Sequence, residues 1–168
     1  MAFSLYDATV PAYLRILASL AALIDKAERF CSDEGLAPDT ILEARLVDDM
    51  RPFRYQVKAA VMHSAGAVHA LSDGTFSPDP APAPATFDGL RAHVAQAIAF
   101  LRTVDADAID ALDGKPMQFR DGPDRIDFTV GTFFVHFSLP NFYFHATTAY
   151  GILRMRGMAI GKSDFRGR

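Results

Sequence analysis

Four prolines alternate with other residues at positions 78, 80, 82 and 84, in the run Ser77-Pro-Asp-Pro-Ala-Pro-Ala-Pro-Ala. A backbone that lacks its N–H at every second position completes neither a helix nor a β-ladder, and the proline ring favours extended polyproline II. The run is therefore an extended strap, and any helices on its two sides are joined by one long crossover.

Apolar residues recur with helical period on both sides of it. Leu14, Leu17, Ala21, Ile24 and Cys31 stand at three-, four- and seven-residue intervals, with Asp25, Lys26, Glu28 and Arg29 between them. Pro11 either occupies the first turn of this helix, capped by Thr9, or kinks a helix that begins near Ser4. Gly35 and Pro38 end it, and a short turn from Asp39 to Ala44 follows. A second long helix is expected from about Asp48 to Leu71, where the carboxylate of Asp48 or Asp49 meets free amides and the positive dipole end. Beyond the strap, Thr86 caps a third helix reaching Val104, with Phe87, Leu90, Val94, Ala97, Leu101 and Val104 as its apolar stripe. Met117–Arg120 and Arg125–Val130 alternate apolar and polar residues around Asp121-Gly122-Pro123, which reads as a small hairpin or an irregular insertion. The last helix runs from about Thr129 to Arg156, with Pro140 as its kink and Gly157 as its stop. Four helices with one long crossover make an all-α four-helix bundle, a single domain over residues 1–168.

Composition narrows the functions. Half of the 168 residues are apolar, enough for a packed core, and the net charge of −3 offers no general attraction for nucleic-acid phosphates. One cysteine, Cys31, excludes an intramolecular disulfide framework and a Cys-rich zinc module. The most apolar stretch, Gly131–Leu153, is interrupted by His136, Ser138, Pro140, Asn141 and His145, so it is expected to be a buried helix and not a membrane span. The N-terminal segment has no positive region and carries Asp7, unlike a signal peptide. These features describe a cytoplasmic protein with no membrane or nucleic-acid partner.

Polar residues on faces due for burial mark the candidate site. Asp49, Gln56 and His63 are spaced by seven and share one face of the second helix. Asn141 and His145 are four apart and share a face of the last helix, whereas His136 is half a turn out of phase and joins them only if Pro140 breaks the helix. Structural roles compete with these. Asp49 also serves as a cap, His63 as a hydrogen-bonded residue at the bundle surface, and Gln56 and Asn141 as buried amides that satisfy each other or the backbone near Pro140. His69 and His93 have the look of surface residues. His145, amid Phe142, Tyr143, Phe144 and Tyr150, needs a partner for each ring nitrogen, and partners at fixed positions make a site. No HExxH, GxSxG, glycine-rich phosphate loop or Cys-His pair accompanies them.

Two segments carry a resemblance. Leu139-Pro-Asn-Phe-Tyr-Phe-His-Ala-Thr-Thr-Ala-Tyr-Gly-Ile-Leu-Arg with Gly161-Lys-Ser-Asp-Phe, and Asp48-Asp-Met-Arg-Pro-Phe-Arg-Tyr-Gln-Val, resemble an uncharacterised bacterial family. It is a domain-of-unknown-function branch of the DinB-like, YfiT-like superfamily of proposed metalloenzymes, and the similarity runs from Ser4 to the C-terminus. The resemblance implies a four-helix bundle, often dimeric, with a pocket between the second and fourth helices. In the wider superfamily that pocket commonly holds a divalent metal on one histidine of the second helix and an HxxxH pair of the fourth. Mapped onto this chain, the second histidine of the pair is His145, the first falls on Asn141, and the second-helix histidine falls on Gln56. Amides are poor donors for zinc or nickel. The expectation is thus a metal-free polar pocket of Asp49, Gln56, Asn141 and His145, serving a small-molecule ligand or a structural role. The competing expectation is zinc or nickel on His145, Asn141 and Gln56, helped by Asp49 or His63, in an enzyme akin to low-molecular-weight thiol transferases and isomerases. Phe133, Phe134, Phe137, Phe142, Tyr143, Phe144 and Tyr150 spread around the last helix, so it needs cover on several sides. Either the strap and the 115–130 segment supply it or a second subunit does, and a homodimer through the first or fourth helix is expected.

Overall fold

Ser4 opens the first helix of the computed structural model, which describes residues 4–167. Its hydroxyl accepts the Asp7 N–H at 3.2 Å and starts α1 (Leu5–Asp33). Pro11 consequently lies inside α1, and Thr9 is no cap, since its hydroxyl donates back to the Leu5 carbonyl at 2.8 Å. After α2 (Asp39–Leu42), the second long helix begins with α3 (Phe53–Val61), later than expected. Pro52 stands at its N-cap position, where a missing N–H breaks no helical bond. Asp49 is left exposed in the turn ahead and caps nothing. The helix continues through a π-turn, Met62–Gly66, into α4 (Ala67–His69) and a 3₁₀ turn, Ala70–Ser72.

Beyond it come β1 (Thr75–Phe76), the proline run, and α5 (Phe87–Leu101). The proline run lies beside the second long helix, tied to Arg54 and Lys58. Thr86 caps α5 by accepting the Gly89 N–H at 3.0 Å. α6 (Ala106–Asp110) leads to the hairpin β2 (Pro116–Asp121) and β3 (Asp124–Thr129). Gly122, at φ 55°, takes the first central position of the two-residue turn, a left-handed position that glycine enters without strain. β1 pairs parallel to β2, so the sheet order is β1-β2-β3. The chain is therefore mostly helical with a small three-stranded sheet, a correction to the all-α expectation. α7 (Val130–Phe133), a π-turn at Phe134–Ser138 and α8 (Leu139–Met155) form the last long helix, and α9 (Lys162–Arg166) follows.

α3 packs along α8, and α1 packs along α5 and α9. Tyr13, Leu17, Leu20, Phe53, Leu90, Phe134 and Phe142 meet between them, each fully buried. Each such leucine or phenylalanine contributes about 1.5–3 kcal/mol by leaving water. Among the described helices α1 is the one long and apolar enough to cross a membrane, and half of its most apolar window is spent on this core.

The last helix passes Pro140 without breaking. A proline ring clashes with the carbonyl four residues back and has no N–H to give it. The π-turn just ahead of Pro140 widens the helix where both faults fall. His136 accordingly stays exposed, outside the site. The two π-turns are tied together: the Ser138 hydroxyl donates to the His63 carbonyl at 2.6 Å. With that proton committed, the Tyr13 hydroxyl must donate to Ser138 Oγ, also at 2.6 Å.

Much of the aromatic run finds cover within the chain. The hairpin lays Phe119 and Phe128 against Phe137, and Phe165 of α9 covers Tyr150. Phe144 and Tyr143 remain 56% and 40% exposed.

Candidate functional site between the second and last long helices

Gln56 and His63 keep their shared face, the first in α3 and the second in the π-turn, and α8 turns His145 toward them. The Gln56 amide nitrogen donates to the Arg51 carbonyl at 2.8 Å, which fixes the other end of the group as oxygen. That oxygen lies 2.7 Å from His145 Nδ1. An oxygen acceptor requires a proton on Nδ1, so His145 is the Nδ1–H tautomer and its Nε2 carries a bare lone pair.

His63 lies alongside, its ring centre 5.6 Å from that of His145 and the planes 12° apart. Its Nδ1 is buried and has no hydrogen-bond partner among the described residues. Phe76 and Phe137 border the His63 ring, and Tyr55 and Phe144 border His145. Burial among these rings disfavours the imidazolium. It lowers the His63 pKa to about 3, with the neighbouring His145 adding to the effect, and that of His145 to about 4. Both rings are neutral at pH 7.

Of the residues singled out in the sequence, Gln56 and His145 meet. Asn141 does not join them: its side-chain amide donates to the Phe137 carbonyl at 2.8 Å, one turn back in its own helix. Phe137 lies within the π-turn, so the Asn141 amide is spent on its own helix; the carbonyl four residues before Pro140 is that of His136, which Asn141 does not reach. Asp49 is exposed ahead of the helix and contributes no hydrogen bond to this centre. His63, expected at the surface, is 6% exposed and belongs to the centre. Its seven-residue spacing from Gln56 was the available signal. The hairpin and β1, which lay Phe76 over it, made it interior. His69 is exposed and His93 half-buried, both away from this face.

The family model for a domain of unknown function, DUF1993, matches residues 5–166. The chain belongs to this family. A crystal structure of a DinB family member protein from Shewanella denitrificans is similar to it, with 31% identity and a TM-score of 0.81, over 98% of this chain and 92% of that one. The family is therefore DinB-like in structure. Among curated proteins, none matches the chain.

The donor chemistry tests the metal that the DinB resemblance implies. Among the described residues, no three His, Cys, Asp or Glu side chains gather as a metal cluster. The two remaining positions hold amides, one accepting from His145 and one turned back on its own helix. Zinc and nickel prefer imidazole, thiolate or carboxylate. This donor set fits them poorly. What the centre offers instead is an oriented, neutral imidazole whose Nε2 accepts a hydrogen bond or a proton, beside a second neutral imidazole.

Proposed function

We propose that this DUF1993 chain is a single-domain, DinB-like four-helix bundle that binds a small molecule without a metal. The polar centre of Gln56, His145 and His63, between the second and fourth helices, is the site. The observation that carries the proposal is the Gln56–His145 hydrogen bond. Gln56 stands where the superfamily resemblance expects a metal-binding histidine, and its oxygen is engaged with the His145 proton. Two neutral imidazoles select ligands that bring a donor of their own, such as a hydroxyl, thiol or amide N–H. The buried free thiol of Cys31 accords with a reducing, cytoplasmic location.

One observation favours a second reading, a divalent-metal-dependent enzyme akin to low-molecular-weight thiol transferases and isomerases. The unpartnered Nδ1 of His63, beside His145, is a nitrogen that a metal ion or a water would satisfy. Elemental analysis of untagged protein purified without chelator, followed by calorimetric titration with zinc and nickel, separates the two. The metal-free proposal predicts no stoichiometric metal and no saturable uptake. Stoichiometric zinc or nickel that is lost in His145→Ala overturns it.

We also assign a homodimer to this chain, through the last long helix. Phe144 and Met155 stay exposed on α8, and exposed Leu46 lies beside Gly151 of the same helix. Exposed apolar side chains that include an aromatic have the composition of an interface core.

A further inference from the structure

A cleft of about 540 Å³ opens on the other side of the second long helix. Its wall is the row Lys58, Met62, Gly66 and Ala70, whose spacing turns it away from Gln56 and His63. Phe76 of β1, Asp79 of the proline run and His93 of α5 line it as well. The volume lies within the roughly 300–1,000 Å³ typical of small-molecule sites.

The proline run is held over this space by a buried cation. Lys58 is 5% exposed, and its ammonium donates to the Asp79 carbonyl at 2.7 Å and to the Ala81 carbonyl. It also pairs with the Asp79 carboxylate at 3.2 Å. A buried ammonium is tolerated only when its protons are partnered, and here all three go to the run. Arg54 donates to the Ala83 carbonyl at 3.0 Å, and Met62 Sδ accepts the Asp79 N–H at 3.4 Å. The run is thus fixed beside the helix, leaving between them a space that neither fills.

The lining chemistry selects the occupant. Val61, Met62, Gly66, Ala70 and Phe76 make an apolar floor. Around it stand the carboxylates of Asp73 and Asp79 and the imidazoles of His69 and His93. The Ala81 N–H and Lys58 hold the Asp79 carboxyl below the usual carboxylate range, so it is charged. Among the described residues lining the cleft, Lys58 is the one permanent cation, and it has no free proton for a ligand. A carboxylate or phosphate would enter with no free donor beside the Asp73 carboxylate and the Lys58-paired Asp79 carboxylate.

We infer that this cleft binds a small apolar molecule bearing an amine or hydroxyl, its hydrocarbon on Met62, Gly66 and Phe76 and its donor toward Asp79 and His93. The site is separate from the Gln56–His145 centre and stands or falls without it. Three probes with one ring system test it: 1-naphthylmethylamine, 1-naphthylmethanol and 1-naphthoate, titrated into the full chain while the histidine ring signals are followed by NMR. The amine and the alcohol are expected to bind saturably and to shift His69 and His93 but not His145, while His63, packed against Phe76, moves less than either cleft histidine. The naphthoate is expected to bind at least about tenfold more weakly, because its charge enters unpaired. Gly66→Leu should abolish binding with the fold intact, because a Cβ there meets nothing nearer than 3.9 Å and the side chain extends into the cleft. Ala70→Leu supplies the same block from the next turn, should the first variant not fold. The inference is overturned if neither amine nor alcohol binds saturably, or if naphthoate binds equally. Binding that survives in a folded, blocked variant, or shifts at His63 and His145 in place of His69 and His93, overturns it too.

Discussion

Gln56→Leu isolates the interaction on which the site depends. Gln56 is 2% exposed, so the substituted side chain stays in the core and its volume is nearly kept. Two bonds are lost: the acceptor of the His145 Nδ1–H and the donor to the Arg51 carbonyl. A buried group left without its partner costs about 1–3 kcal/mol, and the gain from burying an apolar leucine offsets part of that. The Arg51 carbonyl belongs to an exposed residue at the helix entrance, where water replaces the lost donor, so His145 bears most of the loss. We expect a net destabilisation of about 1–2 kcal/mol by urea unfolding at pH 7, against less than about 0.5 kcal/mol for exposed Gln96→Leu on α5. For a chain of this length, that is a fall of roughly 2–8 °C in melting temperature. A Gln56→Leu protein as stable as the Gln96→Leu control would show that the amide is incidental, and the argument for an oriented imidazole would fail.

Three further expectations follow from the same geometry. His63 and His145 have folded pKa values of about 3 and 4, below the roughly 6.5 of an unfolded histidine. Between those values the unfolded chain binds more protons, so stability should be intact above pH 6.5 and fall as the pH drops toward 4. The slope is up to about 1.4 kcal/mol per pH unit for each histidine, and His63→Phe should reduce it in unfolding curves taken from pH 7 to 5. Ser138→Ala removes the hydroxyl that joins Tyr13 to the His63 carbonyl and should cost about 1–3 kcal/mol. A thermodynamic cycle with Tyr13→Phe should show coupling, and strict additivity would contradict the linked arrangement. Phe144→Glu should convert a dimer into an 18.4 kDa particle in light scattering, whereas a wild type that is monomeric across a wide concentration range removes the proposed interface.

The third helix was the most legible part of the chain. Thr86 caps it and Phe87, Leu90, Val94, Ala97 and Leu101 are its buried face, because a cap and a periodic stripe are both local signals; the helix stops at Leu101, short of the expected Val104, which lies half-buried beyond its end. The hairpin was legible for a similar reason, with glycine where the turn requires a left-handed residue. Other features depend on contacts distant in sequence. β1 spans two residues, too few for any period, and exists because β2 pairs with it. Asp48 and Asp49 have the chemistry of caps, yet Pro52 fixes the backbone that starts the helix and leaves them outside. The π-turns carry no periodic signature, although Pro140 stands directly after one of them. At the site, the shared face of Gln56 and His63 could be read from their seven-residue spacing, whereas the meeting of Gln56 with His145 on another helix was implied by the family resemblance. The burial of His63 came from the sheet that covers it, and Asn141 is spent on the carbonyl one turn back in its own helix.

The most direct measurement of the central claim is the tautomeric state of His145, read from the ¹⁵N shifts of its ring nitrogens in uniformly labelled protein at pH 7. The account predicts a neutral ring with a protonated Nδ1 and a bare Nε2, a neutral His63, and spectra unchanged by one equivalent of zinc. A protonated Nε2, a charged imidazolium, or a zinc-induced shift of both histidines to metal-bound values would contradict it.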